Sequence, residues 1–415
     1  MLHKDIIKTF KKKGNWIFPD YKRYCISNIP STISRILGVE TERPFIPIYR
    51  RTDKVLLFVF DGFGFNQWEN FNHPIRKAFE NSGDAYPITT VFPSSTASAM
   101  TSFHTGLTPQ EHGILEWYMY FKEIDMILMT LPFNSEFEPK KFKKINPDPK
   151  ILLQTETFYQ RLSKNGIKPY VFIGKKISKG AYSDIVFKGA KVIGCKNTNQ
   201  LFSKLKKIIN KKEKAYYFVY WPDIDTLSHY HGPFHKSVKR KKIYVFNKME
   251  RLIKNIDEET ATEITIMVSA DHGQAKVYPK KTVFLNGYAW FENNLARSSD
   301  RRTIEPYGLP RDMFLQIKQG KLEEIKKNIE KLNLETIDVE EGIKQGLFGL
   351  NKPTKKFIDR AGDLLVLPRN GMVWYKHTPK EEVNFNGIHG GLTKDEMIVP
   401  LAIANWRDLK KKLKA

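Results

Sequence analysis

Three stretches of the chain are runs of apolar residues broken at most by threonine or serine: Val55 to Phe60 (VLLFVF), Tyr216 to Trp221 (YYFVYW) and Ile264 to Ser269 (ITIMVS). Continuous runs of this length predict strands buried on both faces, as in a parallel sheet covered by helices. Tyr170 to Ile173 (YVFI) predicts a fourth. Helix-like patterns fall between them, at Lys150 to Asn165 and Val245 to Ile256. Strand alternating with helix predicts an α/β fold, a three-layer α/β/α sandwich around a mainly parallel central sheet.

The rhythm breaks after residue 275. Residues 276–384 carry Pro279, Pro306, Pro310, Pro353 and Pro368, a charged helical stretch from Leu322 to Leu332 and a short strand at Leu364 to Leu367. We expect an inserted subdomain there. Residues 1–44, with Pro19, Pro30 and Pro44 around a helical piece at Ser31 to Leu37, read as an N-terminal extension packed on the core. Residues 45–275 and 385–415 are then the core itself, a division expected for a chain of 415 residues.

The three strongest strands each run into residues able to do chemistry: Asp61; Asp223 and Asp225; Asp271 and His272. In open α/β sheets, sites form beyond the carboxyl ends of the strands. Four segments carry the pattern: Phe60-Asp61-Gly62; residues 89–113, TTVFPSSTASAMTSFHTGLTPQEHG; residues 223–233, DIDTLSHYHGP; and residues 269–274, SADHGQ, answered downstream by GIHGGL at 387–392. Taken singly, Asp61 reads as a turn or cap and Thr96 as an N-cap. His389, set between glycines, is harder to read as a core histidine. Asp225 and His229 are four apart, so a helix turns both one way. The residues after Thr96 are small and helix-compatible, which places Thr96 at a helix N-terminus, where backbone N–H groups favour an anion. Carboxylates and imidazoles gathered at one edge suit a borderline divalent cation, zinc first and manganese next. Two such cations together can clamp the attacking and leaving oxygens of an in-line displacement.

In this order the segments resemble the alkaline phosphatase superfamily, and within it the type I phosphodiesterase/nucleotide pyrophosphatase family, over roughly residues 45–275 and 385–402. The resemblance implies an alkaline phosphatase-like fold and a metal-dependent hydrolase with Thr96 as nucleophile, passing through a covalent phospho-threonine. It assigns one metal to Asp225, His229 and His389, and the other to Asp61, Asp271 and His272 with Thr96. It implies a small phosphorylated substrate, a nucleotide or phosphodiester. The chain departs from the pattern after His112-Gly113. The family usually has an asparagine there that contacts a phosphate oxygen; here Glu116 and Trp117 stand in its place. A phosphate site needs a donor fork, and on charge alone Arg311 or Arg360 from the inserted region supplies one. Trp117, with Phe63, Phe65 and Trp68, is a candidate for stacking a base or for ordinary packing. His104, His112, His231 and His235 are assigned to structure or the rim, and Asp223 to support. The alternatives are a phosphomonoesterase or phosphotransferase of the same superfamily and a basic binding protein on an inactive version of the fold. A sulfatase lacks its cysteine segment.

Composition adds the setting. A net charge of +24, from 69 Lys and Arg against 45 Asp and Glu, attracts polyanions, so nucleic acid is one expected partner. The excess sits in short runs (Lys11 to Lys13, Lys204 to Lys214, Lys236 to Lys242, Lys410 to Lys414), which also read as solvated helix faces. No nucleic-acid-binding motif accompanies it. No run approaches the ~20 apolar residues that span a bilayer, and the lysine-rich start has no apolar region after it, so we expect no membrane association and a cytoplasmic monomer or homodimer. Cys25 and Cys195 are too few for a disulfide framework.

Overall fold

The computed structural model describes residues 2–48, 50–375 and 384–414. The expected insert at 276–384 is therefore described except for residues 376–383, which lie outside the described residues.

The apolar runs pair with one another. In chain order the main strands are β1 (Lys54–Phe60), β2 (Gly83–Thr89), β3 (Lys168–Gly174), β4 (Lys191–Cys195), β5 (Ala215–Trp221), β6 (Ile264–Ser269) and β7 (Ile398–Asn405). They form one sheet in the order β2-β7-β6-β1-β5-β3-β4. From β6 through β4 the neighbours are parallel, and β7 is antiparallel to both of its neighbours. Every residue of β1, β5 and β6 is buried. Their unbroken apolarity puts them together at the centre, where both faces are covered. Phe218 of β5 pairs with Leu57, three positions before Phe60, so Phe60 and Phe218 lie on opposite faces of the sheet. Phe60 packs on Phe246 of the helix Lys236–Lys254, and Phe218 on Phe103 of the helix Thr96–Thr105. Those two contacts define the outer layers of an α/β/α sandwich.

Local chemistry moves two of the predicted helices. Lys150 to Asn165 is not one helix. After a turn at Pro149–Ile151 the chain becomes helical at Phe158–Lys164, where Thr157 and Gln160 form a reciprocal capping box. The other begins earlier than its apolar pattern, at Lys236, because the His235 side chain caps its first turn. The N-terminal residues lie against the sheet: Thr89 of β2 donates to Tyr24 O at 2.7 Å, and Ile17 donates to Leu392 O at 2.9 Å.

Within the insert, Tyr307–Leu309, Asp312–Leu315, Leu364–Pro368 and Leu334–Asp338 form an antiparallel sheet in that order, covered by the helix Leu322–Glu330. Leu315, Ile325, Ile329 and Val366 belong to a core of its own. One buried ion pair ties it to the main domain. Arg311 Nε and Nη2 donate to the two oxygens of Glu396 at 2.9 and 3.0 Å, and Nη1 donates to Pro368 O and Gly371 O. Burial alone would raise the Glu396 carboxyl, but Arg311, Thr393 and Gly391 hold it below its usual range. A carboxylate held low in the folded state adds stability at neutral pH and loses it as pH falls through that lower value. Removing one partner of a buried pair typically costs about 3–5 kcal/mol. We therefore predict a loss of that size for Arg311→Leu in urea unfolding at neutral pH, narrowing as pH falls and Glu396 protonates. Equal stability at neutral pH would contradict this placement.

Candidate active site

Sheet order alone gathers most of the polar cluster. Asp61 stands one residue past β1. Asp225 and His229 sit on the helix α2 (Asp223–His231) after β5, and Asp271 and His272 lie just past β6. Because β6, β1 and β5 are neighbours, these residues meet at one edge. His389 arrives from over a hundred residues downstream. The strand Ala275–Lys276 pairs with Gly387–Ile388, which brings the His389 ring onto His272, stacked with centroids 3.6 Å apart. Gly62 allows close approach on the other side: its φ is +69°, and a Cβ there would lie 3.0 Å from Asp225. Its N–H donates to Asp271 Oδ1 at 3.1 Å.

Thr96 opens the helix α1 (Thr96–Thr105). Ser95 is the cap, accepting from Ser98 N, so the Thr96 hydroxyl is not needed for capping. Thr96 Oγ1 lies 3.0 Å from His272 Nε2. The first-turn N–H groups of α1 have no helical acceptor and make a site for anionic oxygen.

The three imidazoles share one arrangement. Nδ1 of His229 is 2.9 Å from Gly387 O, that of His272 is 2.9 Å from Gly273 O, and that of His389 is 3.0 Å from Ser94 O. A carbonyl only accepts, so each Nδ1 carries a proton, and each ring when neutral keeps its lone pair on Nε2. Those lone pairs face carboxylate oxygens: His229 Nε2 to Asp225 Oδ2 at 3.1 Å, His272 Nε2 to Asp61 Oδ1 at 3.4 Å and to Asp271 Oδ2 at 3.5 Å, and His389 Nε2 to Asp225 Oδ1 at 3.8 Å. Asp61 Oδ1 and Asp271 Oδ2 are buried and have no hydrogen-bond donor. Acceptors turned towards acceptors in a buried site call for cations between them. Imidazoles oriented through Nδ1–H···O=C are how proteins present metal ligands. The donor set fits two divalent cations: Asp61, Asp271 and His272 form one group of mutually close ligand atoms, and Asp225, His272 and His389 another. His272 thus stands between the two, and His229 adjoins the second through Asp225.

The electrostatics agree. Burial, then Asp271 and Asp225, pushes the Asp61 carboxyl well above its ordinary range. Burial also raises Asp271, partly offset by His272. Asp225 would be raised by burial too, but positive charge on His229, then on His389 and His272, lowers it, the role that a bound cation takes over when the rings are neutral. Burial, then His272, holds His389 neutral. Two supporting groups carry no signal in the sequence. The Tyr220 hydroxyl donates to Asp61 Oδ2 through a short hydrogen bond, and Gln274 Nε2 donates to Asp225 Oδ1 at 2.5 Å. Tyr220 reads as one more aromatic in an apolar run, and Gln274 only as the residue after Asp271-His272-Gly273.

A cavity of about 620 Å³ opens over the cluster, lined by Asp61, Thr96, Asp225, His229 and His389 together with Trp117, Tyr182, Trp374 and Phe385. Trp117 stands where it can meet a substrate. The two arginines expected there do not line the cavity. Arg311 is committed to Glu396 as described, and Arg360, fully buried, donates to Gly113 O, Ile151 O, Leu152 O and Glu123. Sequence charge cannot show that a guanidinium fork is already filled. Phe63, Phe65 and Trp68 are not a stacking slot either. They are buried in the core, where Phe63 meets Phe71 and Phe246. Asp223 is paired with Lys241. His104 and His112 are buried, and burial holds both rings down at about 3.

Residues 55–392 match the type I phosphodiesterase / nucleotide pyrophosphatase family. The chain belongs to that family. Ectonucleotide pyrophosphatase/phosphodiesterase family member 1 of mouse is 24% identical over 272 residues, 61% of this chain and 28% of that protein. Its human counterpart is 23% identical over 256 residues, 59% of this chain and 26% of that protein. The match thus spans about a quarter of the length of these curated relatives. Among solved structures, murine ectonucleotide pyrophosphatase/phosphodiesterase 5 superposes with a TM-score of 0.63 at 16% identity, covering 87% of this chain and 94% of that one. An inactive threonine-to-alanine form of the murine protein in complex with AMP gives 0.62, again at 16% identity and covering 87% of this chain and 95% of that one. At such identities the likeness shows a shared fold, the alkaline phosphatase-like sandwich.

For this type I phosphodiesterase family member, ligands that bind only the folded chain stabilise it by mass action, about 4 kcal/mol at a thousandfold excess over Kd. Zinc added to chelator-treated protein is therefore predicted to raise Tm. The rise is predicted to be larger at pH 8 than at pH 5.5, since imidazoles and carboxyls bind metal only when deprotonated. Calorimetry showing no shift at either pH would contradict the cluster's assignment.

Proposed function

We propose that the chain is a metal-dependent phosphodiesterase that cleaves phosphodiester or nucleotide pyrophosphate bonds through a covalent phospho-threonine on Thr96. The observation that carries this reading is the common set of the three imidazoles: each Nδ1 is tied to a carbonyl, each Nε2 is turned to a carboxylate, and the Thr96 hydroxyl lies 3.0 Å from one of them. Asp61, Asp271 and His272 with Thr96, and Asp225, His229 and His389, would hold two divalent cations. Zinc is the first choice and manganese the second; when bound they supply Lewis acidity at the reacting oxygens.

The chain's own residues do the rest. Thr96 Oγ1 forms the bond to phosphorus as the first leaving group departs. The opening N–H groups of α1 face the phosphoryl oxygens. Water then displaces Thr96 and regenerates the hydroxyl. Trp117 and Tyr182 on the cavity wall offer flat surfaces to a nucleobase. The family match and the AMP held by the murine relative support a nucleotide substrate.

The family match favours the diester over the monoester. A monoester dianion calls for a further cation near phosphorus; Arg311 and Arg360 are committed elsewhere, which leaves Lys176 and Lys179 of the cavity wall to supply one. For the remaining partners we propose a small-molecule substrate. Of the lysines that carry the net charge, Lys212, Lys254 and Lys344 pair with glutamates on the surface, as solvated faces do. The two free, buried cysteines support a reducing, cytoplasmic compartment, and no described helix is long and apolar enough to cross a membrane.

The test is nitrophenol release from bis-nitrophenyl phosphate and nitrophenyl phosphate by metal-loaded protein. Wild type is expected to prefer the diester, and Thr96→Ala to lose about a thousandfold or more in kcat, the scale on which loss of a nucleophile registers. A preference for the monoester favours the phosphatase reading. An unaffected Thr96→Ala variant removes Thr96 from the mechanism.

A further inference from the structure

Outside the ligand cluster, the least balanced buried groups are two carboxyls. Glu116 precedes Trp117 on the cavity wall, and Asp312 begins the insert strand Asp312–Leu315. Both are fully buried. Glu116 Oε2 accepts from Trp117 N at 2.6 Å, but Glu116 Oε1 and both oxygens of Asp312 have no donor. Arg311, next in sequence to Asp312, is committed to Glu396. The two carboxyls bear directly on each other. Two buried carboxylates in contact without a cation are strongly unfavourable, whereas a proton on each removes both charges and supplies the donor that these oxygens lack.

We propose that Glu116 and Asp312 form a proton-holding carboxyl pair that braces the Thr96 and His389 loops and keeps the cavity wall beside Thr96 uncharged. The kinetic part of this proposal rests on the phosphodiesterase reading; the pair itself does not.

The connections run to both loops. Glu116 bears on Ser95, the residue before Thr96, and the Ser95 hydroxyl donates to Leu115 O at 3.0 Å. On the other side Asp312 packs against Gly390, the residue after His389. A Cβ at Gly390 would lie 2.3 Å from Asp312 Oδ1, so only glycine admits the carboxyl. Gly390 and Ser94 close the ring: Ser94 N donates to Gly390 O at 3.2 Å, and Gly390 N to the Ser94 hydroxyl at 3.1 Å. Glu116 and Asp312 are thus positioning residues, joining the insert to the two loops that carry Thr96 and His389.

Charge gives the pair its consequence. Burial pushes Glu116 up to about 8, and burial together with Glu116 and Glu396 keeps Asp312 well above its usual range. Glu396 also bears on Asp312, and Arg311 balances it. Loss of the first of the two protons, from Glu116, would leave one negative charge in the wall of a cavity that takes an anionic phosphate. Substrate binding then weakens, and the effect falls on KM more than on kcat.

The test compares Glu116→Gln with wild type on the diester from about pH 6 to about pH 10, reading the ratio of their kcat/KM values so that shared ionisations cancel. The amide keeps a donor and does not ionise. The ratio of variant to wild type is expected to be flat up to about pH 8, then to rise through KM towards a plateau set by the loss of affinity in the ionised wild type. A ratio independent of pH overturns the proposal. Infrared spectra provide a readout that needs neither turnover nor a variant. Wild type at neutral pH should show a buried carboxylic-acid carbonyl stretch that is lost on raising the pH, and that is weaker in Glu116→Gln and in Asp312→Asn. A wild-type spectrum without that band overturns the pair even if the enzyme is inactive.

Discussion

Everything in this molecule turns on a crowd of electron pairs at the carboxyl edge of the central sheet. Asp61, Asp225 and Asp271 bring carboxylates, and His229, His272 and His389 bring Nε2 atoms, into a space where they approach one another at 3.1 to 3.8 Å. Such a cluster is unstable by itself. Its surroundings hold it together: backbone carbonyls fix the three imidazole protons on Nδ1, Tyr220 and Gln274 each secure one carboxylate, and Gly62 lets the β1 and α2 loops touch. Stability has been given up locally for binding and chemistry, and the surrounding sandwich supplies it.

The sheet's position follows from the same constraint. The three strands with ligands at their ends are the most continuously apolar, and burial on both faces makes them neighbours. Their adjacency was legible because an apolar run ending in an acid is a local signal. The other strands carry weaker ones. Proline sits inside β2 at Pro87 and inside β7 at Pro400, and β4 is an edge strand with exposed positions. His389 could be placed by resemblance but not by periodicity, because it joins the site through a two-residue strand pair across the insert.

The misread residues share one physical reason: residue type shows what a side chain can do, not whether it is already engaged. Arg311 and Arg360 offer forks suited to phosphate, yet both are filled by carboxylates and carbonyls inside the protein. Phe63 and Trp68 follow a site residue closely in sequence, yet the turn after Asp61 sends them into the core. Conversely, Glu116 stands where the family's asparagine contacts phosphate, yet it is wholly buried. The insert, which sequence marks only as an interruption, presents Arg311 and Asp312 side by side to the loop that carries His389.

The central claim is that phosphorus is transferred first to Thr96 and then to water. Each in-line displacement inverts the configuration at phosphorus, so two in succession restore it. The most direct test is the stereochemical course on a phosphorothioate diester of known configuration, with hydrolysis run in isotopically labelled water. Net retention is the result this account predicts. Net inversion would show that water attacks phosphorus directly, and would contradict Thr96 as the nucleophile.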